Sequence, residues 1–216
     1  MTSLYLYAIV RRRPARLPAR GLHGRPLIVS RAGGASVIAE RIDEAAEPTP
    51  RALAGHDRVV KRIAAATSGV LPFRFGTRVA GTSALRDLLA PAEEAVARAL
   101  ARVDGCVQYT LRVYGEAAPA PVSANEGPGA RWLGARLRAR RAPEIAPLAA
   151  ATAAFVRASR AERHDRPPLV ASVYHLVPRD AARAYRAALA RSSRALERVE
   201  VMTTGPFPPY AFAELA

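Results

Sequence analysis

With 216 residues the chain is long enough for one large domain or two small ones, and its 50% hydrophobic content can build a core, though one rich in alanine and so modest in buried area per residue. It carries 33 basic residues against 18 acidic ones, a formal net charge of +15. No run of about 18 apolar residues is present, which excludes a membrane-spanning helix, and the single cysteine, Cys106, excludes an internal disulfide framework and a multi-cysteine metal site.

Residues 4–10, rich in Tyr, Ile and Val, predict a strand. The basic run Arg11-Arg12-Arg13 follows this apolar stretch, the reverse of the order in a signal peptide, so a cytoplasmic protein is expected. Pro14, Pro18, Gly21 and Gly24 mark residues 11–24 as a loop. Leu27-Ile28-Val29 and Ser36-Val37-Ile38-Ala39 flank Gly33-Gly34 and predict a hairpin. A linker with Pro48 and Pro50 leads into a helix over about residues 50–67. There His56, Val59, Val60 and Ile63 share one face, while Arg58, Lys61 and Arg62 take the other.

The chain then reaches Val70-Leu71-Pro72-Phe73-Arg74-Phe75-Gly76-Thr77. Pro72 stops the helix and argues against a central strand, because it has no N–H to give. Phe73 and Phe75 alternate around Arg74, which suits a short strand with one buried face running along a sheet edge. A helix capped by Thr82 or Ser83 follows, with Leu85, Leu88, Leu89, Val96, Leu100 and Val103 in phase and a kink or restart expected at Pro91. Residues 106–114 predict a strand. This order suits an antiparallel sheet layered with helices on one face.

Pro119, Pro121, Asn125, Gly127 and Pro128 place a domain boundary at 117–129. Beyond it a short basic helix is expected over 130–141, with Trp132, Leu133 and Leu137 toward the core. A longer helix follows over 144–162, with Ile145, Leu148, Thr152, Phe155 and Val156 on one face. A turn at 165–168, a strand at 169–177, a helix over 178–197 and a strand at 199–203 complete the second half. The tail is extended and Pro-rich. The expected organisation is thus α+β with two domains, 1–116 and 130–204, joined by the linker 117–129 and closed by the tail 205–216.

Chemistry-bearing constellations are missing from this pattern. His23, His56, His164 and His175 show no metal-ligand spacing. His56 on an inner helix face reads as a core or cap residue, His164 as part of a solvated charged turn, and His175 could point to either side of its strand. Cys106 has no flanking histidine and reads as a buried structural thiol. No nucleophile elbow and no phosphate-binding glycine loop occurs. Asp43-Glu44 and Glu93-Glu94 are adjacent pairs with poor geometry for acid/base work. The expectation is a protein that is not an enzyme and uses no cofactor and no metal; a small-molecule enzyme on an α+β fold is the weakest alternative.

The charge invites nucleic acid as a partner. Against that, Lys61 is the only lysine among the 33 basic residues, the pattern of a coding bias. The arginines are spread over every segment, and aromatics are only 6% of the chain. An acidic protein or an anionic surface fits the charge equally well. The best candidate for partner binding is Gly205-Pro206-Phe207-Pro208-Pro209-Tyr210-Ala211-Phe212, where prolines hold an extended rod from which Phe207, Tyr210 and Phe212 project. The alternative is that these aromatics latch the tail onto its own domain. Phe73, Arg74 and Phe75 pose the same choice between core and contact surface.

Three of these stretches resemble the gas vesicle protein F/L family. Residues 70–77 resemble its VLPVRFGT signature, residues 204–212 its GPWPPYSF ending, and residues 4–10 its YLYGIV strand. They fall in the family's order and span nearly the whole chain. Trp132 stands where the family often has tyrosine, and Phe207 where it usually has tryptophan. Gln108 and Arg112 replace the acid and lysine of a V-E-x-x-V-K pattern, so a family ion pair there would become a neutral hydrogen bond. The resemblance implies a ferredoxin-like N-terminal domain. It also implies an accessory or minor structural protein that helps assemble the gas vesicle, a gas-filled protein-walled organelle used for buoyancy. The implied partners are the small hydrophobic shell protein and other accessory proteins, with no membrane, and the implied location is the gas vesicle or the cytoplasm. A basic nucleic-acid-binding regulator is the runner-up.

Overall fold

The computed structural model describes residues 3–44, 46–116, 127, 129, 132 and 141–214. It forms two compact units, Met1–Cys106 together with Phe207–Ala216, and Val107–Pro206. Each unit is built on an antiparallel sheet.

The first sheet is organised around β1 (Ser3–Val10), flanked by β3 (Ala35–Ile42) and β4 (Val70–Pro72), with β2 (Leu27–Ala32) outside β3. The two-residue β5 (Arg78–Val79) pairs with the start of β1, so β4 and β5 run along one edge of it. Pro72 sits in this edge strand, where its missing N–H costs no ladder bond. β2 and β3 are joined by Gly33-Gly34, both at positive φ (54° and 67°), as a tight primed hairpin turn requires.

The pairing of β1 with β3 slips between Leu6 and Ala8. This bulge at Tyr7 inverts the alternation of the strand. Tyr5 and Tyr7 before it and Ala8 and Val10 after it therefore line one face, where they pack with Ile38, Ile42, Val59, Val60 and Ile63. Leu4, Leu6 and Ile9 are buried as well, so β1 is covered on both sides, unlike the one-sided layer expected from element order.

Helix α1 (Pro50–Ala65) starts where expected: the Thr49 hydroxyl accepts the Ala52 N–H and Pro50 occupies the first turn. Its buried face is His56, Val59, Val60, Ile63 and Ala64. Helix α2 (Thr82–Leu89) packs against β2, and α3 (Glu93–Val103) against β3 and β4. Between them Pro91 sits in a 3₁₀ turn, Ala90–Ala92, the expected restart. Two details differ from expectation. Thr82 is the first residue of α2 and Gly81 its cap, with no side-chain bond, and Leu88 is 52% exposed. A wide apolar stripe on an eight-residue helix has more leucines than one contact face can cover.

The second sheet runs β7 (Ala158–Arg163), β8 (Leu169–Pro178), β6 (Cys106–Gly115), β9 (Val199–Phe207). Its core joins Tyr109, Leu111 and Val113 of β6 to Ile145, Leu148, Val173, Val177, Tyr185 and Leu189. Helices α4 (Ala146–Thr152) and α5 (Ala182–Ser192) pack on one another. The helix expected over 144–162 is shorter: after Thr152 comes a 3₁₀ turn, Ala153–Phe155, and then β7. The sequence Ala-Ser-Arg-Ala-Glu-Arg favours helix locally, but pairing along β8 from Ala158↔Leu176 to Arg163↔Ala171 outweighs that weak preference. The helix expected over 178–197 is likewise trimmed to α5 and a 3₁₀ turn, Ser193–Ala195.

The division of the chain also departs from the expected 1–116 and 130–204. β6 pairs inside the second sheet, so the second unit begins at Val107, and the tail from Phe207 onward joins the first unit. Most of the expected linker and of the helix at 130–141, including Leu133 and Leu137, lies outside the described residues. Trp132 is described and is 62% exposed, not turned into a core.

Candidate partner-binding site

The stretch after β4 and the C-terminal tail meet in the first unit. β4 ends at Pro72, one residue before the alternation expected from Phe73 and Phe75, although Phe73 still donates its N–H to the Tyr7 carbonyl at 2.9 Å. The reason is local: the Arg74 carbonyl accepts both the N–H and the hydroxyl of Thr77, closing a turn with Gly76 at φ 83°. Phe75 still packs inward, its ring 6.1 Å from Tyr5 and 5.8 Å from His56. Arg74 points outward and pairs with Glu214 at 3.0 Å.

His56 ties this turn to the sheet. Its Nε2 lies 3.1 Å from the Phe73 carbonyl, which can only accept, so Nε2 carries the proton. Nδ1 then accepts from the Tyr5 hydroxyl at 2.9 Å, and that hydroxyl accepts the Gly76 N–H at 3.2 Å. Burial holds the imidazole below its ordinary pKa, against the bond to Phe73, and burial raises the Tyr5 phenol. Every polar atom of the pair is satisfied within the protein, which matches the core role expected for His56.

The tail is not an extended rod. β9 carries the chain through Gly205 and Pro206 to Phe207, and a 3₁₀ turn, Tyr210–Phe212, follows Pro208 and Pro209. Gly205 is held at φ 128°, and a Cβ there would lie 2.8 Å from the Gln108 carbonyl, so only glycine fits. Gln108 is itself buried and donates to the Thr110 hydroxyl at 3.2 Å, a neutral bond, while Arg112 is exposed. Gly205 and Pro206 are exposed and belong to the second unit; the rest of the motif lies on the first.

On that first unit the tail makes a continuous set of contacts. The Lys61 ammonium stands 5.3 Å from the centre of the Phe207 ring, within cation–π range. Pro208, Pro209 and Phe212 are buried. The Tyr210 hydroxyl donates to Asp57 at 3.3 Å, and Asp57 also pairs with Lys61 at 2.7 Å. Burial raises the Tyr210 phenol, and Asp57 adds to the shift. Arg102 donates to the Phe212 carbonyl at 3.1 Å. The aromatics thus latch the tail onto its own unit, while one side of Phe207 and of Tyr210, together with Arg74, stays accessible.

Sequence reasoning did not single out a second cluster, around Glu40. This carboxylate is 0% exposed. It accepts from the Tyr7 hydroxyl at 2.6 Å, the His23 N–H at 3.2 Å, His23 Nδ1 at 3.1 Å and the Arg25 N–H at 2.8 Å. Tyr7 in turn accepts the Leu22 N–H at 2.6 Å, and burial, reinforced by the bond to Glu40, raises its phenol. The arrangement fastens the loop before β2 to the sheet. The one sequence signal was an acid closing the apolar run Ser36-Val37-Ile38-Ala39. In the second unit His175 is buried and bonded to the Tyr185 hydroxyl at 2.9 Å, and His164 meets Ser172 at 2.9 Å rather than standing free in solvent. Cys106 is buried and forms no disulfide.

Two antiparallel sheets with flanking helices, closed by a Pro-aromatic tail, define the fold class to which solved structures can be compared. The crystal structure of the gas vesicle protein GvpF from Anabaena sp. PCC7120 matches with a TM-score of 0.78 at 16% identity, over 100% of this chain and 98% of that one. GvpF from Microcystis aeruginosa matches with a TM-score of 0.77 at 16% identity, over 99% of each chain. At that identity the likeness shows the fold. By sequence, the chain is 27% identical over 238 residues to gas vesicle protein F of Streptomyces sp. (strain CB03234), covering 98% of this chain and 100% of that protein. The profile of the gas vesicle synthesis protein GvpL/GvpF family matches residues 3–214, and the chain belongs to that family.

Proposed function

We infer that this protein is a non-enzymatic accessory or minor structural component of gas vesicle assembly, acting in the cytoplasm and at the growing vesicle. It binds the small hydrophobic shell protein and works beside other accessory proteins. The observation that carries this reading is the family match over residues 3–214, which includes both the turn at 70–77 and the tail. The ferredoxin-like description of the N-terminal unit belongs to the same reading, with β1 and β3 at the centre of its sheet. Support for the contact surface comes from the accessible sides of Phe207 and Tyr210, beside Arg74, on a tail already held in place. Binding such a pre-ordered segment loses little further freedom.

The test is a pull-down against the shell protein of the same gene cluster, comparing the wild type with Phe207→Ala/Tyr210→Ala. Loss of two aromatic anchors should weaken binding by about a hundredfold, near 3 kcal/mol. A folded double variant that binds unchanged would restrict the tail to its latch role.

A further inference from the structure

The first 39 residues hold seven arginines and no carboxylate, and the first acid, Glu40, is fully buried. The surface of this segment therefore carries positive charge that nothing in the segment offsets. It is placed by structure. Arg11 follows Val10, which pairs with Val70, and Ala66 to Gly69 connect α1 to that same Val70. The arginine run and the C-terminal end of α1 accordingly lie at one end of the first sheet.

A cavity of about 480 Å³ opens there, lined by Ala15, Arg16, Leu17, Pro18, Arg62, Ala65 and Ala66. Its floor is aliphatic, and Leu17 is packed against the core cluster beneath. Arg16 and Arg62 are both exposed, and no carboxylate lines it. The end of the loop is pinned by Glu40 through His23 and Arg25.

We propose that this cavity, with Arg16 and Arg62 at its rim and Arg11-Arg12-Arg13 beside it, docks an acidic segment of a partner protein in which carboxylates alternate with small apolar side chains. The arginine forks meet carboxylates, and the aliphatic floor takes the apolar side chains. Nucleic acid is the weaker occupant, because no aromatic lines the cavity for base stacking and the floor offers alkyl groups where phosphates would need donors. This surface is separate from the tail and does not depend on what Phe207 and Tyr210 contact.

The experiment is a fluorescence-anisotropy titration of the full chain with a labelled peptide of Glu-Glu-Leu-Ala repeats. Competitors are an all-glutamate peptide and a DNA duplex. Arg16→Glu/Arg62→Glu is compared with a control that changes net charge equally in the other unit, Arg183→Glu/Arg186→Glu. The result expected is a loss of at least about tenfold in affinity for the first pair and under about threefold for the control, with the mixed peptide preferred over both competitors. Unchanged thermal unfolding shows that the variant is folded; should it not fold, Arg16→Ala/Arg62→Ala is read the same way. Equal losses in both variants, absence of peptide binding, or preference for the DNA duplex would each overturn the proposal.

Discussion

His175 shows how much one buried side chain can say about solution behaviour. Burial pulls its imidazole down to about 4, with the Tyr185 hydroxyl as its partner. In the unfolded chain the same group titrates near about 6.5. Below that value the unfolded state binds the extra proton and the folded state does not, so stability falls as pH drops from about 6.5 toward 4. The loss reaches about 3 kcal/mol at the lower end. His56, also lowered by burial, acts in the same direction. Urea unfolding at a series of pH values should show this slope, and His175→Gln, which keeps a hydrogen-bonding group near Tyr185, should flatten it. An equally steep slope in the variant would assign the pH dependence elsewhere.

At the scale of elements, the hairpin and the bulge carry most of the information. Gly33 has φ 54°, and a Cβ placed on it would lie 2.9 Å from the Leu89 carbonyl. Gly24 has φ 75° but open space around it. Gly33→Ala should therefore cost about 2 kcal/mol or more, since it adds a backbone clash to the left-handed strain, while Gly24→Ala should cost only about 1. Chemical denaturation of the two variants separates strain from crowding; equal losses would mean that Leu89 moves aside. The hairpin itself was legible because Gly-Gly between two β-branched runs has one economical geometry. β7 was not, because Ala158–Arg163 has helix-forming composition and becomes a strand only through β8, a partner beyond the intervening turn. The slip at Tyr7 was equally hidden, since no local pattern distinguishes a regular Leu-Tyr-Leu-Tyr strand from one that changes face halfway.

For the whole molecule, the tail matters more than its length suggests. Residues 207–214 belong to the first unit, where Tyr210 and Phe75 pack against the same core patch as Tyr5. Truncation after Pro206 should expose that patch, raise binding of an apolar dye and lower stability by about 3 kcal/mol or more, the contribution of burying Phe212 and most of Tyr210. Lys61→Ala, which removes only a half-exposed ion pair and a cation–π contact, should cost about 1 kcal/mol. Thermal unfolding of the two variants checks the ranking, and a truncated chain as stable as the full one would make the latch ornamental.

Short-range pattern was sufficient for much of this protein. Helical spacing named the buried face of α1, proline placed the edge strand and the break at Pro91, and the stretches at 4–10, 70–77 and 204–212 pointed to the family. These features depend on neighbours within a few residues, or on motifs that hold their residue order. Other features came from residues far apart in the chain. Glu40 became a buried hub because Tyr7, His23 and Arg25 arrive around it, and a buried carboxylate exists only where donors converge. The tail became a latch because Asp57, Lys61, Arg74 and Arg102 wait on elements over a hundred residues earlier. Propensity and periodicity are sums over nearby residues. Register, burial and hydrogen-bond satisfaction are decided by which distant segments meet, and no window of sequence contains both partners.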